Sequence, residues 1–197
     1  MNRTSALKLA ALALLVAAPF AAASAADGVS YNYVQGGYSK INTDTDADGW
    51  AVKGSVAVAP NFHVFGGYSD HSTDRIATIG GGKLGLDQWE LGVGYNRAIS
   101  NNTDFVGTLA YQKAEASASG IKFKSDGYAA EAGVRSALTP MFEGYAMAGY
   151  EDGDNYDGDF YGRLGGTVKF NPNWGVNADV KLADGDTQWF VGPRFTW

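Results

Sequence analysis

The sequence has 197 residues, no cysteine and a formal net charge of −6, with 27 glycines and 13% aromatic residues. The lack of cysteine excludes a disulfide scaffold and any cysteine-ligated metal site. The acidic balance without a basic run argues against a nucleic-acid partner, because phosphate neutralisation needs clustered lysine and arginine. A charged fraction of only 18% excludes a disordered chain, and the length favours one domain.

The chain begins with the three parts of a secretory signal peptide. Arg3 and Lys8 give a positive start, residues 9–20 form an apolar stretch of 12 residues, and Ala23, Ser24 and Ala25 form a small-x-small cleavage site. The apolar stretch is too short for a membrane anchor. We therefore predict a removed signal peptide at residues 1–25 and a mature domain at residues 26–197, with 13 basic against 21 acidic residues.

Beyond residue 26, polar and apolar residues alternate with a period of two in segment after segment. Trp89, Leu91 and Val93, for example, alternate with polar residues and glycines. This period predicts strands rather than helices. The predicted strands span residues 29–40, 49–59, 62–69, 88–96, 104–113, 126–137, 141–151, 160–170, 174–182 and 187–197. An even number favours a closed antiparallel transmembrane β-barrel of ten strands, with eight as the alternative.

Two kinds of connection alternate between these strands. Short ones at residues 59–61, 100–102, 139–140 and 171–173 contain proline or asparagine, which form tight turns. The others are mostly longer and rich in aspartate, glycine and serine. This asymmetry predicts short periplasmic turns and longer acidic extracellular loops, which together carry a charge of −11.

Aromatic residues on the apolar face of the strands are sorted by height. The outer aromatic ring, at the loop ends, comprises Trp50, Tyr68, Trp89, Tyr111, Tyr128, Tyr150, Phe160 and Trp189. The periplasmic aromatic ring, at the turn ends, comprises Phe62, Tyr95, Phe105, Phe142, Phe170, Trp174, Phe195 and Trp197. Two such rings are typical of a barrel whose apolar face meets lipid, whereas a soluble sandwich has no reason to sort its aromatics by height.

The polar face would then line the lumen, and its charges nearly cancel. The charged residues on it are Lys53, Glu90, Asp104, Glu131, Arg135, Glu143, Arg163, Lys169, Asp179, Lys181 and Arg194. We expect them to pair and fill the lumen, since unpaired charges away from bulk water are costly. A narrow channel for small solutes is the alternative, and a wide pore is disfavoured because such barrels have about sixteen strands.

The last residues form the most specific motif. Trp189, Val191, Pro193, Phe195 and Trp197 alternate up to an aromatic carboxy terminus. This is the form of the assembly signal of bacterial outer-membrane barrels, in which an unpaired strand offers an edge and an aromatic ridge for capture. The motif predicts periplasmic chaperones and the barrel-assembly machinery as partners during biogenesis, and a location in the outer membrane.

Three segments carry a resemblance to a known family. Residues 26–34 (ADGVSYNYV), 54–66 (GSVAVAPNFHVFG) and 189–197 (WFVGPRFTW) resemble the small xanthomonad outer-membrane proteins that are often labelled sulfation-dependent quorum factors. Residues 160–163 and 173–175 extend the similarity along the mature chain. The resemblance implies an outer-membrane barrel packaged in vesicles and linked to biofilm, motility or virulence. It carries over no catalytic or binding residue.

The acidic loops are candidates for divalent ions. Asp44, Asp46 and Asp48 match the first half of a calcium loop, with a glycine next, but Ser55 stands where the bidentate glutamate is needed. A solvated acidic loop is therefore the alternative, as is a rim that shares divalent ions with lipopolysaccharide. We predict no cofactor.

The chain is not predicted to be an enzyme. The rival hypothesis is a rim-located hydrolase that uses Asp70 and His71 at the head of loop two, since a histidine beside a carboxylate can activate water. Ile76, Ile79, Leu84 and Leu86 in the same loop suit either adhesion or strands that extend above the membrane. The sequence thus favours a monomeric outer-membrane protein of structural, interaction or surface-signalling type, in contact with lipid and lipopolysaccharide and not with nucleic acid.

Overall fold

The computed structural model describes residues 25–43, 46–73, 84–118 and 121–197. The ten strands are β1 (Tyr33–Asn42), β2 (Ala47–Ala59), β3 (Phe62–Thr73), β4 (Leu84–Ser100), β5 (Thr103–Ala118), β6 (Ile121–Thr139), β7 (Phe142–Gly153), β8 (Tyr156–Lys169), β9 (Trp174–Ala183) and β10 (Asp186–Thr196). Each pairs antiparallel with its neighbours in sequence, and β1 closes the barrel against β10. The predicted ten-stranded antiparallel barrel is confirmed. In the part of the chain that is described, no helix is long and apolar enough to cross a membrane.

The strands extend further at the outer end than the sequence pattern indicated. Pairing of β5 with β6 continues to Ala118 opposite Ile121, and β9 and β10 are joined by Asp184 and Gly185 alone. Gly185 has a φ of 89°, which suits glycine in so tight a turn. Much of what was predicted as outer loop is therefore strand. The backbone hydrogen bonds between two strands of a hairpin continue up to the turn, even where the side chains become polar. Of the apolar residues in loop two, Leu84 and Leu86 lie on β4, while Ile76 and Ile79 lie outside the described residues.

The lipid-facing side of the barrel carries the two aromatic rings. Aliphatic side chains between them are exposed, among them Leu91, Val93 and Leu109. Neighbouring strands bring aromatic residues into contact at both levels, which is the arrangement expected at the two headgroup regions. The ring–ring centroid distances are 5.4 Å for Trp50–Tyr68, Trp89–Tyr111 and Tyr111–Tyr128, 5.0 Å for Tyr150–Phe160 and Trp174–Phe195, and 5.3 Å for Phe62–Tyr95.

The first strand begins later than the sequence pattern predicted. Residues 29–32 were expected to start β1, but the ladder begins at Tyr33. Val29 and Tyr31 are buried and form a cluster with Ala57 and Val106, which face the lumen from the barrel wall. Residues 26–32, here called the N-terminal segment, therefore lie inside the periplasmic mouth. Buried and more exposed side chains alternate in this segment as they do in a strand, because one side of it packs against the barrel wall.

Glycines allow a close approach where the barrel closes. The ladder of β1 and β10 has a gap between the pairs Gln35↔Arg194 and Tyr38↔Val191, although the register is the same on both sides. The gap lies beside Pro193, which has no N–H to donate. A Cβ on Gly37 would lie 2.1 Å from the Val191 carbonyl oxygen, and one on Gly192 would lie 2.1 Å from the Gly36 oxygen. The closing seam thus requires glycine on both strands.

Substitution at this seam should destabilise the barrel. We expect Gly192→Ala to lower the free energy of unfolding by about 1–3 kcal/mol, because backbone rather than a flexible side chain must move. The measurement is urea unfolding of the exported protein in detergent, followed by the heat-dependent shift in gel mobility. Gly162→Ala is the matched control, since a Cβ there meets nothing within 4 Å. Equal stability of both variants would contradict the account of the seam.

Candidate functional site

The carboxylate that gathers the most cations in the lumen is that of Glu143 on β7. Its residue is 1% exposed. Arg135 Nε on β6 donates to Oε1 at 2.6 Å, Lys169 Nζ lies 3.3 Å from Oε2, and Arg194 Nη1 lies 3.9 Å from Oε1. Inward-facing positions on four strands thus converge on one anion. We call these four residues the Glu143 cluster; it fills the periplasmic half of the lumen.

Two further acids hold the middle of the lumen. Glu131 accepts hydrogen bonds from the Tyr161 hydroxyl at 2.9 Å, and Arg163 Nη1 lies 3.1 Å from the same carboxylate. Asp179 accepts from the Tyr145 hydroxyl at 3.0 Å, with Lys53 Nζ at 3.9 Å. The structure therefore brings together Glu131 with Arg163 and Asp179 with Lys53, and tyrosine hydroxyls supply the remaining donors.

The ion pair nearest the outer end of the lumen includes Glu151, a residue that the sequence analysis did not identify. Lys181 on β9 donates to Glu151 Oε2 at 2.6 Å. Glu151 ends the strand predicted at residues 141–151, but it was not counted among the charges of the lumen. It lies eight residues after Glu143 on the same strand, and an even spacing places both on one face. That spacing was the signal that could have identified it.

Two predicted lumen acids are not in ion pairs with side chains. Among the described residues, Glu90 and Asp104 have no lysine or arginine nitrogen at salt-bridge distance. Glu90 borders open space in the lumen. Asp104 is fully buried and accepts hydrogen bonds from the Tyr31 hydroxyl at 2.9 Å and from the Ala26 backbone nitrogen at 3.0 Å.

The N-terminal segment is anchored to several strands at the periplasmic mouth. The Tyr31 ring stacks on His63 with centroids 4.5 Å apart, and the Arg135 guanidinium carbon lies 4.9 Å from the Tyr31 centroid. Arg194 Nη2 donates to the Ser30 carbonyl at 3.2 Å, and Lys169 donates to the carbonyl of Gly28. The cations of the Glu143 cluster therefore also fix the segment that covers them.

Open space remains in the outer half of the lumen. A cavity of about 460 Å³ is bordered by inward residues at the outer end, and a second of about 120 Å³ lies deeper, next to the N-terminal segment. Lys53, Glu90 and Arg163 border both cavities. The outer vestibule thus meets the deeper cavity at these three side chains, here called the constriction, and the deeper cavity ends at the N-terminal segment and the Glu143 cluster.

The rim residues considered for catalysis are not arranged for it. His71 was treated as a surface residue, but it is fully buried on the inner face of β3, and its Nε2 lies 2.9 Å from the Ser39 hydroxyl. Burial arises because inward positions at this height pack against β1. Asp70, its neighbour in sequence, points to the opposite, exposed face. His71 and Asp70 therefore do not form the accessible base and carboxylate that the rival hypothesis of a rim hydrolase requires.

The calcium candidates are dispersed. Asp46 pairs with Lys40 at 2.9 Å, which raises the pKa of that lysine through the hydrogen bond and the negative charge. Asp48 lies exposed on β2, and Asp44 lies outside the described residues. Within the described ranges, no three histidine or acidic side chains are grouped so that they could hold a metal ion.

The β5–β6 hairpin extends beyond the outer aromatic ring. On its outward face, Glu115 is paired with Lys122 and with Lys124, whose Nζ lies 3.4 Å away. The hydrogen bond from Lys122 holds the pKa of Glu115 below its usual range. On the other face, Ile121 and Phe123 are more than half exposed. Charged outward side chains mark this part of the hairpin as lying outside the lipid.

The residues of the assembly motif lie on the outward face of β10, except Trp197, which directly follows that strand. Trp189 and Val191 are exposed. Phe195 packs at a tilt against Trp174 and stacks on Trp197, with centroid distances of 5.0 and 6.2 Å. In the closed barrel this strand is paired on both edges. The edge that the motif would offer for capture is thus consumed by barrel closure.

Loss of the central anion should destabilise the folded barrel. We expect Glu143→Gln to lower the free energy of unfolding by about 3 kcal/mol, because two arginines and a lysine would then face no buried anion. The measurement is urea unfolding in detergent. Glu115→Gln is the matched control, since its partners are exposed to water and its loss should change stability little. A Glu143→Gln barrel as stable as the control would show that the buried cluster contributes nothing to stability.

Comparison with known proteins identifies the family and agrees with the fold. The model of the family described as outer membrane protein beta-barrel domain matches residues 9–146. No curated protein matches the chain. The solved NanC porin superposes with a TM-score of 0.52 at 9% identity, over 84% of this chain and 100% of the porin chain. At so low an identity, this likeness shows the fold alone. The KdgM porin in complex with disordered oligogalacturonate gives 0.49 at 12% identity, over 83% and 99% of the two chains. OprG from Pseudomonas aeruginosa gives 0.46 at 11%, over 84% and 94%. Since the family match spans well over half of the sequence, the chain belongs to the outer-membrane proteins with a β-barrel domain.

Proposed function

We propose that this outer-membrane barrel is a closed anchor that acts through its outer hairpins, as a surface interaction or signalling protein, and not as a general porin. The observation that carries the proposal is the filling of the periplasmic half of the lumen. The Glu143 cluster and the N-terminal segment occupy the cross-section there, and the same cations bind both. A solute that enters the outer vestibule would be stopped where the deeper cavity ends, at Tyr31, Arg135 and Arg194.

The outer end supplies the surface for contacts outside the cell. The β5–β6 hairpin stands above the outer aromatic ring and exposes Ile121 and Phe123. Exposed large apolar side chains beyond the membrane favour contact with another molecule over a purely solvated loop. The neighbouring Lys122 and Lys124 suit the phosphates of lipopolysaccharide, which we propose as a partner together with membrane lipid. Outward-facing Trp189 and Phe195 similarly support recognition of β10 by the assembly machinery.

The resemblance of residues 26–34, 54–66 and 189–197 extends this proposal. On that ground we propose that a signal peptide is removed on export, that the protein is a monomer also found in outer-membrane vesicles, and that its contacts bear on biofilm or quorum-related behaviour. No catalytic role is part of the proposal. The burial of His71 and the outward direction of Asp70 support this, because a water-activating pair needs both groups at one accessible point.

A narrow channel is the second candidate function. One observation favours it: the two cavities share Lys53, Glu90 and Arg163, so open space reaches past the constriction toward the N-terminal segment. Movement of that segment would join the deeper cavity to the periplasm. The closed anchor requires the N-terminal segment to stay in the periplasmic mouth, whereas the narrow channel requires it to move out.

Single-channel recording in planar lipid bilayers separates the two functions. We expect no steady conductance from the exported wild-type protein, because the periplasmic half of its lumen is filled. Tyr31→Ala should add frequent brief openings, since it removes the ring stacked on His63 and beneath Arg135. Tyr38→Ala is the control and should stay silent, because it removes an exposed tyrosine from the lipid-facing side of β1, next to Trp50 of the outer aromatic ring.

A steady conductance of the wild type would contradict the closed anchor and assign the channel function. If neither the wild type nor Tyr31→Ala conducts, the Glu143 cluster alone is sufficient to close the lumen.

A further inference from the structure

The starting observation is a buried carboxylate without a charged side-chain partner. Asp104 on β5 is 0% exposed, and the described residues place no lysine or arginine at salt-bridge distance from it. Its two oxygens accept one hydrogen bond each, from the Ala26 backbone nitrogen and from the Tyr31 hydroxyl. A buried carboxylate held by two neutral donors is costly unless a cation compensates it.

The nitrogen at 3.0 Å belongs to the residue that directly follows the predicted cleavage site. As a peptide nitrogen, it offers Asp104 one hydrogen and no charge. Hydrolysis of the Ala25–Ala26 bond adds one water: Ala25 leaves with a carboxylate, and the freed amine of Ala26 takes up a proton. The same atom then carries a full positive charge and three N–H groups at the position where the carboxylate lies.

We propose that Asp104 is the binding site for the α-ammonium group of the mature chain, formed at Ala26 by signal-peptide removal. The resulting ion pair locks the N-terminal segment into the periplasmic mouth. Closure of the lumen is thereby linked to processing, since the precursor lacks the charge that completes the site. The inference does not depend on what the outer hairpins contact.

Contacts downstream of Ala26 support this assignment, because they hold its nitrogen in place without help from the leader. Asp27 N donates to the Asn101 carbonyl at 2.8 Å, and Val29 N donates to the Ala26 carbonyl at 3.0 Å. Ala26 itself is 5% exposed. The ammonium group would therefore be fixed by turns and burial that remain after cleavage.

The other charged groups nearby are already engaged. Arg135 stands opposite Asp104 in the β5–β6 ladder, but its guanidinium lies against the Tyr31 ring and pairs with Glu143 instead. His63 stacks on Tyr31 and has its Nδ1 at 3.3 Å from the Asn96 side-chain oxygen. Asp27 is exposed to water. The α-ammonium is thus the cation that this arrangement lacks.

The first test is the start of the chain purified from outer membranes. Intact mass and sequencing of the N-terminal peptide should give Ala26 as the first residue. A chain that starts at Ala25, Asp27 or elsewhere would overturn the proposal, because its α-amine would not lie at Asp104.

The second test measures whether that amine is sequestered. The folded exported protein is treated at neutral pH with an amine-selective acetylating reagent, and modification of the N-terminal peptide is followed by mass spectrometry. We expect the α-amine to react at least about tenfold more slowly than in urea, since each unit of pKa increase removes about nine-tenths of the free base. Equal rates in the folded and unfolded states would overturn the proposal.

Variants separate the charge pair from mere burial. Insertion of one threonine between Ala25 and Ala26 leaves the Ala26 nitrogen as an amide and moves the charge one residue away, so labelling should become fast. Asp104→Asn should also accelerate labelling. Asp27→Asn, which removes an exposed carboxylate nearer in sequence, is the matched control and should label as slowly as the wild type.

Slow labelling of the threonine-insertion chain would contradict the ion pair. Should Asp104→Asn fail to fold, the insertion and the Asp27→Asn control still decide the result, because neither removes a buried group.

Discussion

The rest of the structure depends on the requirement that charges enclosed by ten strands be compensated. A barrel of this size leaves little room for water, and an isolated buried ion costs several kcal/mol. Inward positions of β6, β8 and β10 therefore place Arg135, Lys169 and Arg194 around the carboxylate of Glu143 on β7. The same charges that make the inner face polar enough to lie away from lipid thus fill the lumen and close it.

The N-terminal segment is a second consequence of this requirement. Arginine and lysine side chains in the Glu143 cluster have more donors than one carboxylate can accept, and carbonyls of Gly28 and Ser30 take part of the excess. Tyr31 adds an aromatic surface between His63 and Arg135. Polar compensation therefore extends from wall to wall through a segment that is not part of the sheet. The outer half, where Lys53, Glu90 and Arg163 border open space, is less completely filled.

Much of this fold could be predicted from the sequence, because strand alternation and aromatic height are local properties. The pattern in residues 88–96 identifies the lipid-facing and lumen-facing sides of β4 without any knowledge of the neighbouring strands. Trp89 and Tyr95 mark the outer and the periplasmic surface of the membrane on this strand. The outer strand ends were missed because the pattern loses its apolar residues there, although pairing persists to Ala118 and Ile121. The partners of Asp104 and the inward path of residues 26–32 were missed for a different reason. They depend on hydrogen bonds across the lumen. Ala26 and Tyr31 bind Asp104, which follows them by 78 and 73 residues in the sequence. The resemblance of the chain ends to a named family gave no residue-level information on that interior.

The central claim, that residues 26–32 occupy the periplasmic mouth, is tested most directly by nuclear magnetic resonance of the exported protein in detergent micelles. The ring of Tyr31 lies over that of His63 with centroids 4.5 Å apart, so their protons should give strong nuclear Overhauser contacts. The account predicts these contacts together with an ordered Tyr31 ring. Their absence, with sharp signals of an unstructured segment for residues 26–32, would contradict it.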